Sequence, residues 1–169
     1  MLDALVRLAI LSFLLLVFHD AFKKNMTITS SIDRPLTDSN VVLNHIALLE
    51  SYGIEYPWVV MAQEVHETGW FTSPIYRENF NRFGMKVNSR KYHKGEARGH
   101  AKYDNFIASI LDYRDWQRMR LEQNLWVYND STYIEMLIKV KYAEDPHYKE
   151  RVVEARRKLK EMAAILESH

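Results

Sequence analysis

The chain has 169 residues, of which 47% are hydrophobic, and this length and composition predict one domain with a substantial core. Its 23 basic and 22 acidic residues leave a formal net charge of +1, which argues against nucleic-acid binding through a charged surface. It has no cysteine, which excludes disulfides, thiolate zinc sites and thiol nucleophiles. The many aromatic residues fit either a groove for sugar rings or an aromatic core.

The N-terminal segment, residues 1–24, contains an apolar run from Leu8 to Phe18. This run has the length of the hydrophobic part of a secretion signal, so it predicts export to the cell envelope, in the periplasm or at the cell surface. No small-residue cleavage pattern follows, which favours an uncleaved membrane anchor over a cleaved signal peptide. A helix inside the fold or in a dimer contact is a third interpretation. The polar stretch 25–38 is interpreted as a linker to a folded domain at 39–169.

Two helices are expected at the start of the domain. Apolar residues recur at helical spacing from Val42, and Gly53 stands where a left-handed residue ends a helix, which predicts a first helix over 39–52. Pro57 suits the first turn of a second helix, predicted over 58–68 and ended by Gly69.

Glu67 lies in the last turn of the second predicted helix. The helix dipole disfavours a negative charge there, and partial burial beside Gly69 and Trp70 acts in the same direction, so the pKa of Glu67 is expected to be raised. A carboxyl group with a raised pKa is a candidate general acid. The alternative is an ordinary surface glutamate before an ordinary helix end.

The pattern changes over 82–102, where three glycines and alternating residues predict a small hairpin-like lobe. Helical periodicity resumes over 105–121 and again over 132–142. A final helix is predicted to begin at Asp145-Pro146, because Asp can cap it and Pro fits its first turn. The whole order predicts a mainly α fold with a small β-hairpin lobe beside a groove. The apolar stripe of the last helix is expected to contain Val152, Leu159, Met162 and Leu166.

Four motifs follow one another along the domain: AQEVHETGW at 62–70, NRFGMK at 81–86, YDNF at 103–106 and KYAEDPHY at 141–148. In order and spacing they resemble the glucosaminidase domain of bacterial autolysins and flagellar peptidoglycan hydrolases, family 73 of the glycoside hydrolases. The resemblance implies an α+β, lysozyme-like fold. It also implies a peptidoglycan hydrolase of the endo-β-N-acetylglucosaminidase type, which cleaves β-1,4 bonds after N-acetylglucosamine in glycan strands.

The same resemblance suggests roles for individual residues. It assigns the catalytic acid to Glu67, with Thr68 in place of the commoner serine, and it implies that Tyr142 faces the cleft and assists catalysis or substrate positioning. Glu96 is the candidate for a second carboxylate, with a loop residue paired to a neighbouring cation as the alternative. Contacts with substrate are expected from Gln63, Trp70, Asn81, Phe83 and Tyr103.

Cleavage of a glycosidic bond requires a proton on the leaving oxygen and stabilisation of an oxocarbenium-like transition state. Glu67 is expected to supply the proton, and the stabilisation comes from a second carboxylate or from the acetamido group of the substrate. Two rival functions are open. One is a lytic transglycosylase, which forms an anhydro sugar without adding water, and the other is a catalytically weak glycan-binding or scaffold domain of a cell-envelope machine.

No metal ion or other cofactor is expected. His66 and Glu67 resemble the start of a zinc-binding HExxH helix, but Trp70 stands where the second histidine is needed. The histidines and glutamate at positions 93, 96 and 100 have no fixed ligand spacing. The basic run at 149–160 is interpreted as a solvated helix face, with contact to anionic wall polymers or lipid headgroups as the alternative.

Overall fold

The computed structural model describes residues 39–164, which form six helices and one two-stranded antiparallel sheet. The elements in chain order are α1 (Ser39–Ser51), α2 (Pro57–Thr68), α3 (Pro74–Asn79), β1 (Gly95–Ala97), β2 (His100–Lys102), α4 (Phe106–Gln123), α5 (Asp130–Lys139) and α6 (Tyr148–Ala164). The predicted mainly α fold with a small hairpin is confirmed. The predicted signal or anchor at 1–24 and the linker at 25–38 lie outside the described residues. Between residues 39 and 164, no helix combines the length and apolar character needed to cross a membrane.

Helix α2 lies at the centre of the fold. All of its residues from Val59 to Val65 are buried, and it packs against α1, α5 and α6. A surface helix needs one apolar stripe, whereas a helix enclosed on all sides belongs to the core. Gln63 and Glu64 lie within this buried run, so each requires a partner inside the protein.

Glu64 is paired with the guanidinium group of Arg82, which is itself fully buried. The Nε2 atom of His45, on α1, lies 2.7 Å from Glu64 Oε2 and 2.8 Å from Arg82 Nη2. Burial alone would raise the pKa of Glu64, but Arg82 and His45 together hold it below its ordinary value. This buried cluster of Glu64, Arg82 and His45 joins α1, α2 and the turn that follows α3.

Gln63 belongs to a second buried network, which contains neutral groups. Its Nε2 donates a hydrogen bond to Tyr148 Oη at 2.9 Å, and its Oε1 accepts one from Tyr113 Oη at 2.5 Å. The Tyr113 hydroxyl also lies 2.8 Å from that of Tyr133. The network therefore ties α2 to α4, α5 and α6 through side chains that the core encloses.

The hairpin is short and tightly turned. Its register pairs Gly95 with Lys102 and Ala97 with His100, and the two residues between the strands, Arg98 and Gly99, both have positive φ, at 57° and 72°. Positive φ at both positions is what a type I′ turn requires.

Three boundaries differ from the sequence-based expectation. Strand pairing covers only 95–102 of the predicted lobe, although Ala101 N donates to Met85 O at 2.8 Å. Helix α5 ends at Lys139, so Tyr142 lies in a loop, and Lys141 ends the turn with a φ of 51°. The last helix begins at Tyr148 because Asp145 caps the preceding turn, its Oδ1 accepting from His147 N at 2.9 Å.

Helix α3 was not predicted, although Ser73 caps it and Pro74 opens it. The final apolar stripe is confirmed at Val152 and Leu159, which are buried, while Met162 is half-buried. Leu166 lies outside the described residues.

We expect replacement of Arg82 by Met to lower the free energy of unfolding by about 3–5 kcal/mol, because Glu64 would be left charged and buried without its cation. In the Arg82→Met/Glu64→Met double variant, the free energy of unfolding should fall by less than the sum of the decreases in the two single variants, since no unpaired charge remains. Urea unfolding of the three variants measures both quantities.

Arg98→Met is the matched control for this experiment. Arg98 pairs with Glu78 on the surface, 2.8 Å away, so its removal should cost less than about 1 kcal/mol. If the decreases in the free energy of unfolding from the Arg82 and Glu64 substitutions were strictly additive in the double variant, the two residues would not form a coupled buried pair.

Candidate active site

Glu67 lies in the last turn of α2 and is largely enclosed by neighbouring groups. Burial raises its pKa to about 7, and the charge of Asp145 contributes in the same direction. The direction is the one expected from the sequence. A glutamic acid with this pKa holds a substantial fraction of its protons near neutral pH, as a general acid must.

Gly84 forms the surface on which the Glu67 carboxyl rests. A Cβ atom added at Gly84 would lie 2.7 Å from Glu67 Oε2, and the backbone there is left-handed, with a φ of 63°. Both the close approach and the backbone conformation therefore require glycine. The glycine of the NRFGMK motif positions the candidate acid.

A sharp turn follows Glu67 and is held by Thr68. The Thr68 hydroxyl donates to Glu64 O at 2.7 Å and accepts from Phe71 N at 2.9 Å. Gly69, Trp70 and Phe71 are all left-handed, with φ values of 55°, 58° and 64°. Because the stabilising group is a hydroxyl, serine and threonine are interchangeable at this position in chemical terms.

Asp145 reaches the neighbourhood of Glu67 from the loop before α6. It pairs with Arg151 Nε at 3.1 Å, and His66 Nε2 lies 3.8 Å from its carboxylate. His66 is therefore a neighbour of Asp145 and the Tyr148 ring, whose centroid is 5.4 Å away. Within residues 39–164, no group of three or more metal-binding side chains comes together.

A cleft of about 310 Å³ opens beside Glu67. We define it by its lining residues, which come from α2, the loop after Asn81, α4 and the loop after α5: Glu67, Phe83, Gly84, Met85, Lys86, Val87, Asn88, Arg90, Trp116, Met119, Arg120, Val140, Lys141 and Tyr142.

Tyr142 lines this cleft and supports its floor. Its hydroxyl donates to Phe83 O at 2.5 Å, and its ring packs against Trp116 with centroids 5.0 Å apart. Burial, with the nearby Glu67 next in effect, raises the pKa of Tyr142 well above its ordinary value. The side chain therefore remains a neutral phenol that donates a hydrogen bond across the working pH range.

The predicted substrate-contacting residues occupy three kinds of position. Phe83 belongs to the cleft lining, although its side chain is buried against Tyr113, with ring centroids 4.3 Å apart. Trp70 is 45% exposed but lies outside that lining. The other three, Gln63, Asn81 and Tyr103, are buried and bonded within the protein.

Asn81 and Tyr103 have clear internal partners. Asn81 Nδ2 donates to Met85 O and Ala101 O, each at 2.9 Å, which joins the turn to the hairpin. The Tyr103 hydroxyl donates to Asp112 Oδ2 at 2.7 Å. Both residues shape the site from beneath its surface.

Glu96 is exposed on β1 and does not belong to the cleft lining. Among the described lining residues, Glu67 is the one carboxyl group. A catalytic role for Glu96 stays a prediction from the sequence. The four cationic residues of the cleft were not predicted as site residues. Lys86 and Lys141 lie within the motifs, but a motif does not show which of its cations face a cleft.

Residues 44–161 match the glucosaminidase family, described as mannosyl-glycoprotein endo-beta-N-acetylglucosaminidase. The chain belongs to the glucosaminidase family. It is thus a glycoside hydrolase, as the motifs predicted. No significant match is found among curated protein sequences.

The fold of this glucosaminidase is similar to that of the glycoside hydrolase domain from Salmonella typhimurium FlgJ, with a TM-score of 0.54 and 22% sequence identity. The alignment covers 78% of the present chain and 94% of the FlgJ chain. The predicted lysozyme-like, mainly α class is confirmed by this comparison.

Gly84→Ala is expected to lower kcat/KM by about 100-fold, because the new methyl group would displace the Glu67 carboxyl. The free energy of unfolding should also fall by about 1–2 kcal/mol, because a Cβ atom is disfavoured in the left-handed backbone conformation of residue 84. Gly99→Ala is the matched control: its φ is 72°, but an added Cβ meets nothing within 4 Å. Steady-state kinetics with urea unfolding compares the two, and equal activity losses would contradict the positioning role of Gly84.

Glu67→Gln is expected to stabilise the protein at about pH 8 by roughly 3 kcal/mol. The folded-state pKa of Glu67 is raised from 4.5 to about 7, so the folded protein binds its proton more tightly than the unfolded chain does. The wild-type free energy of unfolding therefore falls as pH rises from 4.5 to about 7, and the variant lacks this fall. Urea unfolding as a function of pH measures the difference, which should vanish below pH 4.5.

Glu96→Gln serves as the control, since Glu96 is exposed. If the free energy of unfolding changed with pH in the same way in the wild type and in Glu67→Gln, Glu67 would not be desolvated in the folded protein.

Proposed function

We propose that this glucosaminidase hydrolyses the β-1,4 bond after N-acetylglucosamine in peptidoglycan, with Glu67 as the general acid. The observation that carries the proposal is the largely buried Glu67 carboxyl, with a pKa of about 7, at the edge of an open cleft. Protonated Glu67 would donate its proton to the leaving oxygen as the glycosidic bond breaks.

The second catalytic role is proposed to belong to the substrate. Since Glu67 is the one carboxyl among the described cleft residues, we propose that the acetamido group of N-acetylglucosamine stabilises the oxocarbenium-like transition state. Its carbonyl oxygen would attack the anomeric carbon, and water would then open the cyclic intermediate. A route through Glu96 would require the hairpin to approach the cleft.

Tyr142 is proposed to assist by position. Its hydrogen bond to Phe83 O fixes the backbone immediately before Gly84, and Gly84 supports the Glu67 carboxyl. The neutral phenol has no role as a base, because burial raises its pKa well above the ordinary value.

We also propose that the protein is exported and tethered to the membrane through residues 1–24. The apolar run from Leu8 to Phe18 supports this proposal, and a peptidoglycan substrate requires a location in the cell envelope.

Mass spectrometry of purified peptidoglycan digested by the full-length chain tests the proposed reaction. Fragments with reducing N-acetylglucosamine ends are expected. Glu67→Gln should lower the rate by about 100- to 10,000-fold, since the proton donor is lost.

Three other outcomes would redirect the assignment. Anhydro-muramyl ends would identify a lytic transglycosylase, because no water is added to the product. No fragments from either protein would favour the scaffold or glycan-binding role. A loss of activity in Glu96→Gln equal to that in Glu67→Gln would replace the substrate-assisted step by a second carboxylate.

A further inference from the structure

The cleft carries an excess of positive charge that the proposed reaction does not use. Its lining contains four cationic side chains, Lys86, Arg90, Arg120 and Lys141, beside the one carboxyl group of Glu67. The whole chain has a net charge of only +1, so this excess is a local feature of the cleft.

One of the four cations is neutralised and three are available. Arg90 is held by Asp112, with its Nε 2.6 Å from Oδ1. Lys86 and Lys141 are exposed and form no ion pair with any residue between 39 and 164. Arg120 lies over the Trp116 ring at 5.8 Å, also without an ion pair in that range.

Arg120 also holds a donor that the protein leaves unused. Its Nε is buried and has no hydrogen-bond partner among the described residues. A buried, unpaired donor on a charged group is costly, so a small side-chain movement that brought this donor to an acceptor on a ligand would be favourable.

Lys141 occupies a position where glycine is ordinarily preferred. It follows the last residue of α5 and its capping residue Val140, and its φ is 51°. A left-handed residue after a helix is most often glycine, because any Cβ atom is disfavoured there. Lys141 therefore lines the cleft from a backbone position that does not itself favour lysine.

We infer that Lys86, Arg120 and Lys141 bind carboxylates of the glycan strand on either side of the bond that is cut. The inference rests on the proposed function. Peptidoglycan differs from a neutral N-acetylglucosamine polymer by the lactyl group of every muramyl residue, which carries either a free carboxylate or a peptide that ends in carboxylates. A cleft with three unpaired cations discriminates in favour of such a strand.

The binding test uses the full-length Glu67→Gln protein, so that ligands remain intact. Three probes are titrated by calorimetry: glycan strands stripped of peptide, strands that carry the peptide, and the neutral N-acetylglucosamine hexasaccharide. We expect the charged probes to bind about tenfold or more tightly than the hexasaccharide at low salt, and only their affinity to fall as salt is added.

The combined variant Lys86→Gln/Arg120→Gln/Lys141→Gln, in the same background, should bind the charged probes about tenfold more weakly and the hexasaccharide unchanged. Lys149→Gln, an exposed residue outside the cleft, is the control and should change neither affinity. If the combined variant loses affinity only for stripped strands, the cations bind the lactyl carboxylate. If it loses affinity only for peptide-bearing strands, they bind the carboxylates of the peptide.

Lys141→Gly separates binding from folding. It should weaken binding of the charged probes by about twofold to fivefold, while the urea midpoint stays the same or rises, because glycine suits the left-handed backbone. A lower midpoint with unchanged binding would assign Lys141 to stability and overturn its part in the inference.

The inference and the proposed reaction fail in different ways. Affinities that are the same for charged and neutral probes, or that fall equally for both in the combined variant, overturn the inference whether or not the active enzyme cuts peptidoglycan. Cation-dependent binding of charged strands by a wild-type protein that releases no fragments upholds the inference and overturns the proposed hydrolysis.

Discussion

The enclosed position of α2 is the constraint on which the site depends. A charge in such a helix must be paired inside the protein, and Glu64 is paired with Arg82. Glu67 lies about one turn further along the helix, and Gly84 lies two residues beyond Arg82. The buried pair therefore sets the chain around Arg82 against α2 in one register, and in that register Gly84 meets the Glu67 carboxyl. The contact that stabilises the fold and the contact that supports the candidate acid are therefore made by the same two segments.

The chemistry of Glu67 follows from an arrangement that costs stability. Burial and the neighbouring charge of Asp145 both disfavour its ionised form, and within residues 39–164 Glu67 forms no ion pair of the kind that Glu64 forms with Arg82. Two glutamates three residues apart on one helix thus have opposite pKa shifts. Glu64 is kept ionised by Arg82 and His45 and serves the fold, whereas Glu67 retains its proton near neutral pH and suits acid catalysis.

The aromatic residues serve mainly the core. Tyr103, Tyr113, Tyr133 and Tyr148 are buried with their hydroxyl groups hydrogen-bonded, and Tyr142 is the tyrosine that lines the cleft in the described part of the chain. Each such ring fills a large volume while its hydroxyl satisfies a polar group, which allows a core to contain Gln63 and Asp112 without unpaired atoms. The cleft is left with mixed apolar and cationic walls.

The sequence by itself determined the order of five of the six described helices, the family and the candidate acid, because these depend on local signals: apolar spacing, Pro57 and Gly69 at the ends of α2, and motifs in a fixed order. Only the tertiary structure decided which polar residues face the cleft. Gln63, Asn81 and Lys141 all belong to the motifs, yet Gln63 and Asn81 are bonded inside the fold, whereas Lys141 lines the cleft. Contacts between segments far apart in the chain determine burial, and burial fixes whether a polar side chain supports the structure or meets a ligand.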